Sequence, residues 1–433
     1  MNIRLYNARI LTMEPDRPIF EGEIWIKNER IVYVGEEKVL KSFEEEKQAL
    51  QIHWDKEVDC EGNLLMPGFK NAHTHSGMTA FRSYADDLPL QKWLTEKIFP
   101  MEKKLTGEDI CYLVKLAVLE YLTSGITAIF DMYLMPAITA HACMDMGMRC
   151  VLTSGLNNFT SSVRAMAEEY DKWNNTSPLV SYQLGFHAEY TCSKELLTKV
   201  ASLAHRLQAP VYAHMSETKA EVMECKEKYG MTPPMFLDSL GLFRFGGGGY
   251  HCVHMSADDM RVFIKRGMYV ITNPGSNTKL ASGIAPIADY MKKSIPVAIG
   301  TDGAASNNCL DMFREMFLVT GLAKLKNKDA ACLDAASVLK MATVNGAEAM
   351  HLKEADVLAE GKLADIIMID LKQPNMQPIH NIEKNIVYSG SKQNVKMTMI
   401  GGRILYMNGS FYVGEEPASI YKETERIVSR LMK

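Results

Sequence analysis

The sequence predicts an α/β protein: a TIM-like (β/α)8 barrel with a small β-sandwich domain formed by the N- and C-terminal segments. Three observations carry this prediction. Across the middle of the chain, eight short apolar runs alternate with helix-like segments over roughly 290 residues, as a barrel of eight β/α units requires. Both ends of the chain read as successive strands, which can pair with each other into one domain beside the barrel. The length of 433 residues accommodates one large barrel with an accessory domain.

Residues 1–64 are the first part of the β domain. Ile3 to Ile10, Glu23 to Lys27 and Arg30 to Val34 are predicted strands, with Lys27-Asn28-Glu29-Arg30 as a hairpin turn. The charged stretch 36–50 is predicted as a short helix or surface loop, and Val58 to Asn63 as a further hairpin. Residues 65–355 are the barrel. Its first strand runs into His73-Thr74-His75, and residues 90–124 have helical character. The later strands are Ile126 to Met132, Arg149 to Leu156, Leu179 to His187, Pro210 to Ser216, Tyr250 to His254, Gly267 to Thr272 and Ile295 to Thr301. Residues 356–433 return to the β domain through Gly361 to Asp370, Val387-Tyr388, Val395 to Ile400 and Arg403 to Met407. A helix from about Ala418 to Leu431 closes the chain.

Composition narrows the function classes. Hydrophobic residues make up 47% and charged residues 23%, the balance of a soluble globular protein. A formal net charge of −4 gives no electrostatic reason to bind nucleic acid or an anionic membrane. No run approaches the ~20 apolar residues of a spanning helix. Met1 to Tyr6 lacks the segments of a signal peptide. Nine scattered cysteines with no Cys-X-X-Cys pair fit reduced thiols, so the expected location is cytoplasmic. A homo-oligomer is compatible with all of this.

The chemistry centres on His73 and His75. Residues i and i+2 of a strand point to the same side, so the pair presents two imidazoles to one point. A bare His-X-His at a strand end is equally a solvated polar pair, so further ligands must come from other strand ends. His187 ends the fourth strand, His214 the fifth, His251 lies on the sixth, and Asp302 follows the eighth. Strand ends of a barrel form a ring, which brings such residues together. His73, His75, His214 and Asp302 are assigned to one divalent metal ion, with Zn²⁺ the expected species. No lysine ends the fourth strand, so nothing points to a bridged two-metal site. Glu217, three residues past His214, is a candidate proton carrier beside a metal site. On the residues alone it is equally a first-turn acid of the helix beginning near Thr218.

Several motifs resemble the amidohydrolase superfamily, and within it the branch of 5-methylthioadenosine/S-adenosylhomocysteine deaminases. They are Pro67-Gly68-Phe69 through His75, His214-Met215-Ser216-Glu217, His251-Cys252-Val253-His254, and Thr301 through Asn308. Tyr84 through Leu90 with Trp93-Leu94, Pro100-Met101-Glu102, His187-Ala188 with Tyr190 through Ser193, and Asn273 through Asn277 with Lys279 through Pro286 extend the likeness over nearly the whole chain. The resemblance implies a hydrolytic deaminase of adenosine-type nucleosides, a small-molecule substrate, in which water adds at C6 of the adenine ring and ammonia leaves. It implies that Glu217 carries the proton to N1 and that His251 and Asp302 hold the attacking water. It further implies that Glu102 binds the ribose hydroxyls, His187 contacts substrate and Trp93 walls the pocket.

Departures from the branch bear on the group at the 5′ position. Glu189 stands where relatives often have Pro, Thr272 where they often have His, and the arginine some relatives carry in the loop after the third strand, around Ser154, is missing, though Arg164 is nearby in sequence. The alternative substrate class is another cyclic amidine, such as a guanine-like base, a pterin or a triazine, for which a ribose-binding Glu102 has no purpose. A purely structural metal protein is a third reading, disfavoured because a closed structural site needs no neighbouring Glu217 and His251.

Overall fold

The structure is a computed structural model that describes residues 1–36, 44–45, 47–48 and 53–433. Eight strands lie side by side in chain order: β1 (Phe69–Thr74), β2 (Ile126–Met132), β3 (Arg149–Thr153), β4 (Val180–Ala188), β5 (Val211–Met215), β6 (Gly247–His251), β7 (Met268–Thr272) and β8 (Val297–Ile299). Each pairs in parallel with the next. Strands covered on both faces read as continuous apolar runs, which is why the sequence marks them clearly. Ala72, Phe130, Val151, Tyr212, Tyr250 and Ala298 form a buried cluster separate from the larger strand–helix core. Helix α1 (Gly107–Thr123) shows how that outer core is built. Thr106 and Asp109 close a capping box at its start, and Leu113, Val114, Ala117 and Leu122 are buried.

The seam between β8 and β1 is closed beside the predicted site. The Asp302 N–H donates to the His73 carbonyl at 3.0 Å. The Asn71 side chain accepts from the Thr301 N–H at 2.9 Å and donates to its hydroxyl at 2.7 Å. Barrel closure therefore fixes Asp302 against the strand that carries His73 and His75.

Among the described residues, the second sheet has nine strands, from both ends of the chain. Leu64–Pro67 pairs antiparallel with Ile366–Ile369, and this ladder joins the N-terminal strands to the C-terminal ones. Ile3, Leu5, Ile24, Ile26, Ile366 and Met397 form its own core. Arg149, opening β3, ties the barrel to this sheet. Its guanidinium donates to both oxygens of buried Asp365, at 2.7 and 2.9 Å.

Several predicted elements differ from those observed. Val58 to Asn63 is not a hairpin, because Lys56–Asp59 and Leu64–Pro67 both pair parallel with Asn2–Ile10 and lie along the same edge of it. Val387-Tyr388 is not a strand but part of the helical turn Asn385–Ser389, which buries Ile386 and Val387. β6 begins at Gly247, before the predicted Tyr250 start. Glycine normally weakens a strand, but a Cβ on Gly247 would stand 1.9 Å from the Val211 carbonyl oxygen, so this close pairing requires it. Most of the charged stretch 36–50 lies outside the described residues. Among the described residues, no helix is long and apolar enough to cross a membrane.

Candidate active site

Six residues predicted from the sequence meet at the C-terminal strand ends. Nε2 of His73 lies 3.1 Å from Nε2 of His214 and 3.7 Å from Oδ1 of Asp302. Nε2 of His75 lies 3.1 Å from the same Asp302 oxygen. Among the described residues, the donor clusters that suit a metal are His73, His75 and His214, and His73, His251 and Asp302. Backbone carbonyls orient two of these rings. His75 Nδ1 bonds to the Met132 carbonyl, and His214 Nδ1 to the His187 carbonyl at 2.7 Å. With Nδ1 committed to a carbonyl, Nε2 is the nitrogen each ring aims inward, and on His75 a bound cation would replace the proton that Nε2 shares with Asp302. Tyr250 stacks on His73 at a centroid distance of 3.7 Å and fixes its plane.

This donor set fits a divalent cation. Inward imidazole nitrogens and a buried carboxylate crowd one small space, an arrangement that positive charge stabilises. Burial and the neighbouring imidazoles hold His73 and His214 well below 6.5, so both are neutral and able to ligate. Burial opposes charge on Asp302, but His75 outweighs it and holds the carboxyl well below its usual range. Burial likewise opposes charge on His75, yet Asp302 lifts that imidazole to about 9.

The backbone at these strand ends is strained. Ser216, His251, Cys252 and Asp302 have φ of 51°, 68°, 48° and 61°, a left-handed region that side chains rarely adopt. Such conformations persist where surrounding structure holds them, and they gather at functional sites.

Glu217 follows β5 but does not cap the next helix, α2 (Lys219–Tyr229). Thr218 is its N-cap, and Glu221 completes the capping box. The Glu221 carboxylate also accepts from the N–H groups of Ser216 and Glu217, each at 2.7 Å. The strand-to-helix turn is thus satisfied without the Glu217 side chain. Glu217 instead accepts from the Ser282 hydroxyl at 3.0 Å and lies 3.9 Å from His251 Nδ1. Burial raises its pKa above the ordinary carboxylate value. His251 donates from Nδ1 to Asn277 Oδ1 at 2.8 Å, while its Nε2 faces Asp302 Oδ2 at 3.9 Å.

The remaining predicted residues surround this centre. His187 packs against His214 with centroids 4.9 Å apart, and burial lowers its pKa to about 4. Trp93 is buried with its indole N–H unpartnered, on the excursion between β1 and α1. Glu102, on the same excursion, is half-buried, and burial pushes its pKa up to about 7 against the opposing effects of Tyr133 and His75. The Tyr133 hydroxyl lacks a partner in full hydrogen-bonding geometry. A knot of polar contacts fastens the excursion to the barrel. Lys279, the last residue of α3 (Pro274–Lys279), meets Asp86 at 2.5 Å. Asn308 donates to the same carboxylate at 2.9 Å.

Sequence reasoning gave no role to Ser276, Asn277, Ser282 or Tyr250. Ser276 and Asn277 sit in the quoted Asn273 to Asn277 motif, so a signal existed without a function attached. The Thr218-X-X-Glu221 capping box was legible in the sequence and separates Glu217 from the helix start.

Comparisons with known proteins agree with this geometry. The amidohydrolase family pattern matches residues 64–405. The chain is 38% identical over 431 residues to a Caldicellulosiruptor saccharolyticus protein named 5-methylthioadenosine/S-adenosylhomocysteine deaminase, covering 99% of each. It is 40% identical to a like-named protein of Desulfitobacterium hafniense, covering 93% of this chain and 92% of that one. Among solved structures, a zinc-bound adenosine deaminase from Xanthomonas campestris matches with a TM-score of 0.91 and 30% identity, over 100% of this chain and 98% of that one. An atrazine chlorohydrolase from Arthrobacter aurescens, complexed with zinc, matches with a TM-score of 0.87 over 98% of this chain and 100% of that one. At 21% identity it shows a shared fold alone.

Proposed function

This chain belongs to the amidohydrolase family, and we propose the following account of its chemistry. The protein is a hydrolase acting on carbon–nitrogen bonds in cyclic amidines, a metal-dependent deaminase of adenosine-type nucleosides. Its substrates are of the class 5-methylthioadenosine, S-adenosylhomocysteine, adenosine or 5′-deoxyadenosine. One water is consumed, and ammonia and the inosine analogue are released. Full-length likeness to deaminases supports the reaction class. The geometric observation that carries it is Glu217, freed from helix capping and turned toward His251.

His73, His75, His214 and Asp302 would hold one divalent ion, Zn²⁺ being favoured by the nitrogen-rich donor set. When bound, such an ion supplies a water whose pKa is lowered toward about 7. His251, its Nδ1 committed to Asn277, directs Nε2 toward Asp302, and the two hold the attacking oxygen against C6. Glu217 carries the proton released as the attacking oxygen adds, and delivers it to N1 as C6 becomes tetrahedral, a task suited to a buried carboxyl with a raised pKa. Glu102 accepts from the ribose hydroxyls, Trp93 walls the pocket and His187 contacts substrate. A site for a bare base, pterin or triazine has no use for Glu102.

The same reading divides the chain into a barrel at 65–355 and a β domain from 1–64 and 356–433. Nine free cysteines fit a reducing cytoplasm. The test is ammonia release by metal-loaded protein. Adenosine derivatives should be deaminated with higher kcat/KM than adenine, guanine, pterins or triazines. Turnover of bare bases alone would replace the nucleoside assignment with the broader amidine class.

A further inference from the structure

Glu315 is fully buried on α4 (Met312–Asn327) and takes no part in the proposed chemistry. Its two oxygens accept from the segments that follow two different strands. Oε2 accepts from the Gly275 N–H at 2.8 Å, in α3 after β7. Oε1 accepts from the Asn307 amide at 2.8 Å, at the end of the short helix Ala304–Asn307 after β8. The same Asn307 amide reaches the Thr301 carbonyl at 2.7 Å, one residue before Asp302. From α3, Ser276 donates to Asp302 Oδ2 at 2.6 Å, and Asn277 holds His251. One carboxylate therefore ties the backbone that aims Ser276 and Asn277 to the backbone that carries Asp302. The fit is tight, since a Cβ on Gly275 would stand 2.4 Å from Glu315 Oε1 and 2.6 Å from Asn307 Oδ1. A buried carboxylate is costly to maintain, and stability alone is often better served by an apolar side chain. The two N–H donors favour its ionised form against the burial that raises its pKa.

We propose that Glu315 is a positioning residue that holds α3 and the short helix after β8 together, so that Asn277 orients His251 and Ser276 orients Asp302. This rests on the roles proposed for His251 and Asp302. Groups that orient metal ligands from behind typically affect metal affinity or turnover by about 10–100-fold. Misorientation of reacting groups slows the chemical step more than it weakens substrate binding.

The test is Glu315→Gln in metal-replete protein. Glutamine keeps the size but offers one acceptor oxygen, so one of the two donors loses its partner. The expected result is a kcat for 5-methylthioadenosine lower by about 10–100-fold with KM within about threefold. Zinc affinity, measured by chelator competition, should fall by about tenfold. Asn307→Ala removes a donor from the other end and should reproduce this pattern, with the double variant no worse than the more impaired single one. A Glu315→Gln protein with wild-type kcat and wild-type zinc affinity, whatever its Tm, would overturn the proposal. So would a loss confined to KM. If Glu315→Gln does not fold, Asn307→Ala carries the same readouts. Chelator competition needs no substrate, so a wild-type protein that binds zinc but deaminates no nucleoside would sink the functional reading while Glu315 is still tested.

Discussion

Replacing Glu217 by Gln separates a proton carrier from a helix acid through two readouts of opposite sense. The structure removes Glu217 from the cap of α2, because Thr218 and Glu221 fill that role. Its carboxylate keeps one hydrogen bond, from Ser282 at 3.0 Å, and is otherwise buried beside His251. Loss of a general acid–base group lowers kcat by about 10²–10⁴-fold. The stability effect follows from the raised pKa. Near neutral pH the unfolded chain ionises Glu217 more readily than the folded protein does, so its charge opposes folding. Glutamine carries no charge to desolvate, and Tm should hold or rise. A first-turn acid would instead lose about 0.3–1 kcal/mol with near-normal turnover. Glu221→Gln supplies the contrast. It disturbs a buried carboxylate that accepts two 2.7 Å bonds from backbone N–H groups, which costs about 1–3 kcal/mol. Steady-state kinetics and thermal melts of both variants suffice. Glu217→Gln with normal kcat and a lowered Tm would refute the argument.

Three further predictions follow from other parts of the molecule. Elemental analysis should find about one divalent ion per chain, lost in His73→Ala or Asp302→Ala, the loss of a ligand from a four-ligand set; two equivalents in active protein would contradict the single-ion set. Glu102→Ala should raise KM for nucleosides and narrow their preference over adenine with metal content unchanged, since a hydroxyl-binding acid discriminates most strongly against substrates that lack the hydroxyl. Because burial pushes Glu102 up to about 7 and the anion is the form proposed to accept from the ribose hydroxyls, wild-type KM should rise as pH falls below about 7, by up to about tenfold per unit, and Glu102→Gln should flatten that profile. Arg149→Ala should cost about 3–5 kcal/mol in urea unfolding, because the buried Asp365 charge loses its guanidinium and keeps only the Gly401 N–H as a hydrogen-bond donor. Burial opposes the Asp365 charge, but Arg149 more than offsets it and lowers its pKa, so the pair's contribution is full above about pH 4 and fades as pH falls through the lowered value.

Local patterns in the sequence made much of this structure legible. Eight apolar runs became eight parallel strands because burial on both faces leaves a continuous signature. His73 and His75 share a side because strand periodicity demands it, and their ring centroids lie 4.8 Å apart. The family resemblance suggested the roles proposed for His251 and Glu102, which periodicity could not. Contacts between distant segments were not legible. Ser282 reaches Glu217 across 65 residues, and Glu315 reaches Gly275 across 40. Glycine misled the reading of β6, where Gly247 serves the close approach of Val211 rather than breaking the strand. Tyr250 reads as an ordinary core aromatic, and only the structure shows it stacked on His73. The left-handed kinks at Ser216, His251 and Asp302 have no signature in residue type, since none of the three is glycine.

The central claim is hydrolytic removal of the 6-amino group from an intact nucleoside, and isotope-labelled water tests it directly. Metal-loaded protein is incubated with 5-methylthioadenosine in ¹⁸O-water, and the products are read by mass spectrometry with a parallel ammonia assay. The account predicts the 5′-methylthio inosine analogue with one ¹⁸O in the base, the ribose–base bond intact, and one ammonia per turnover. Free adenine without ammonia, or unchanged nucleoside beside rapid turnover of a bare base or triazine, would contradict it.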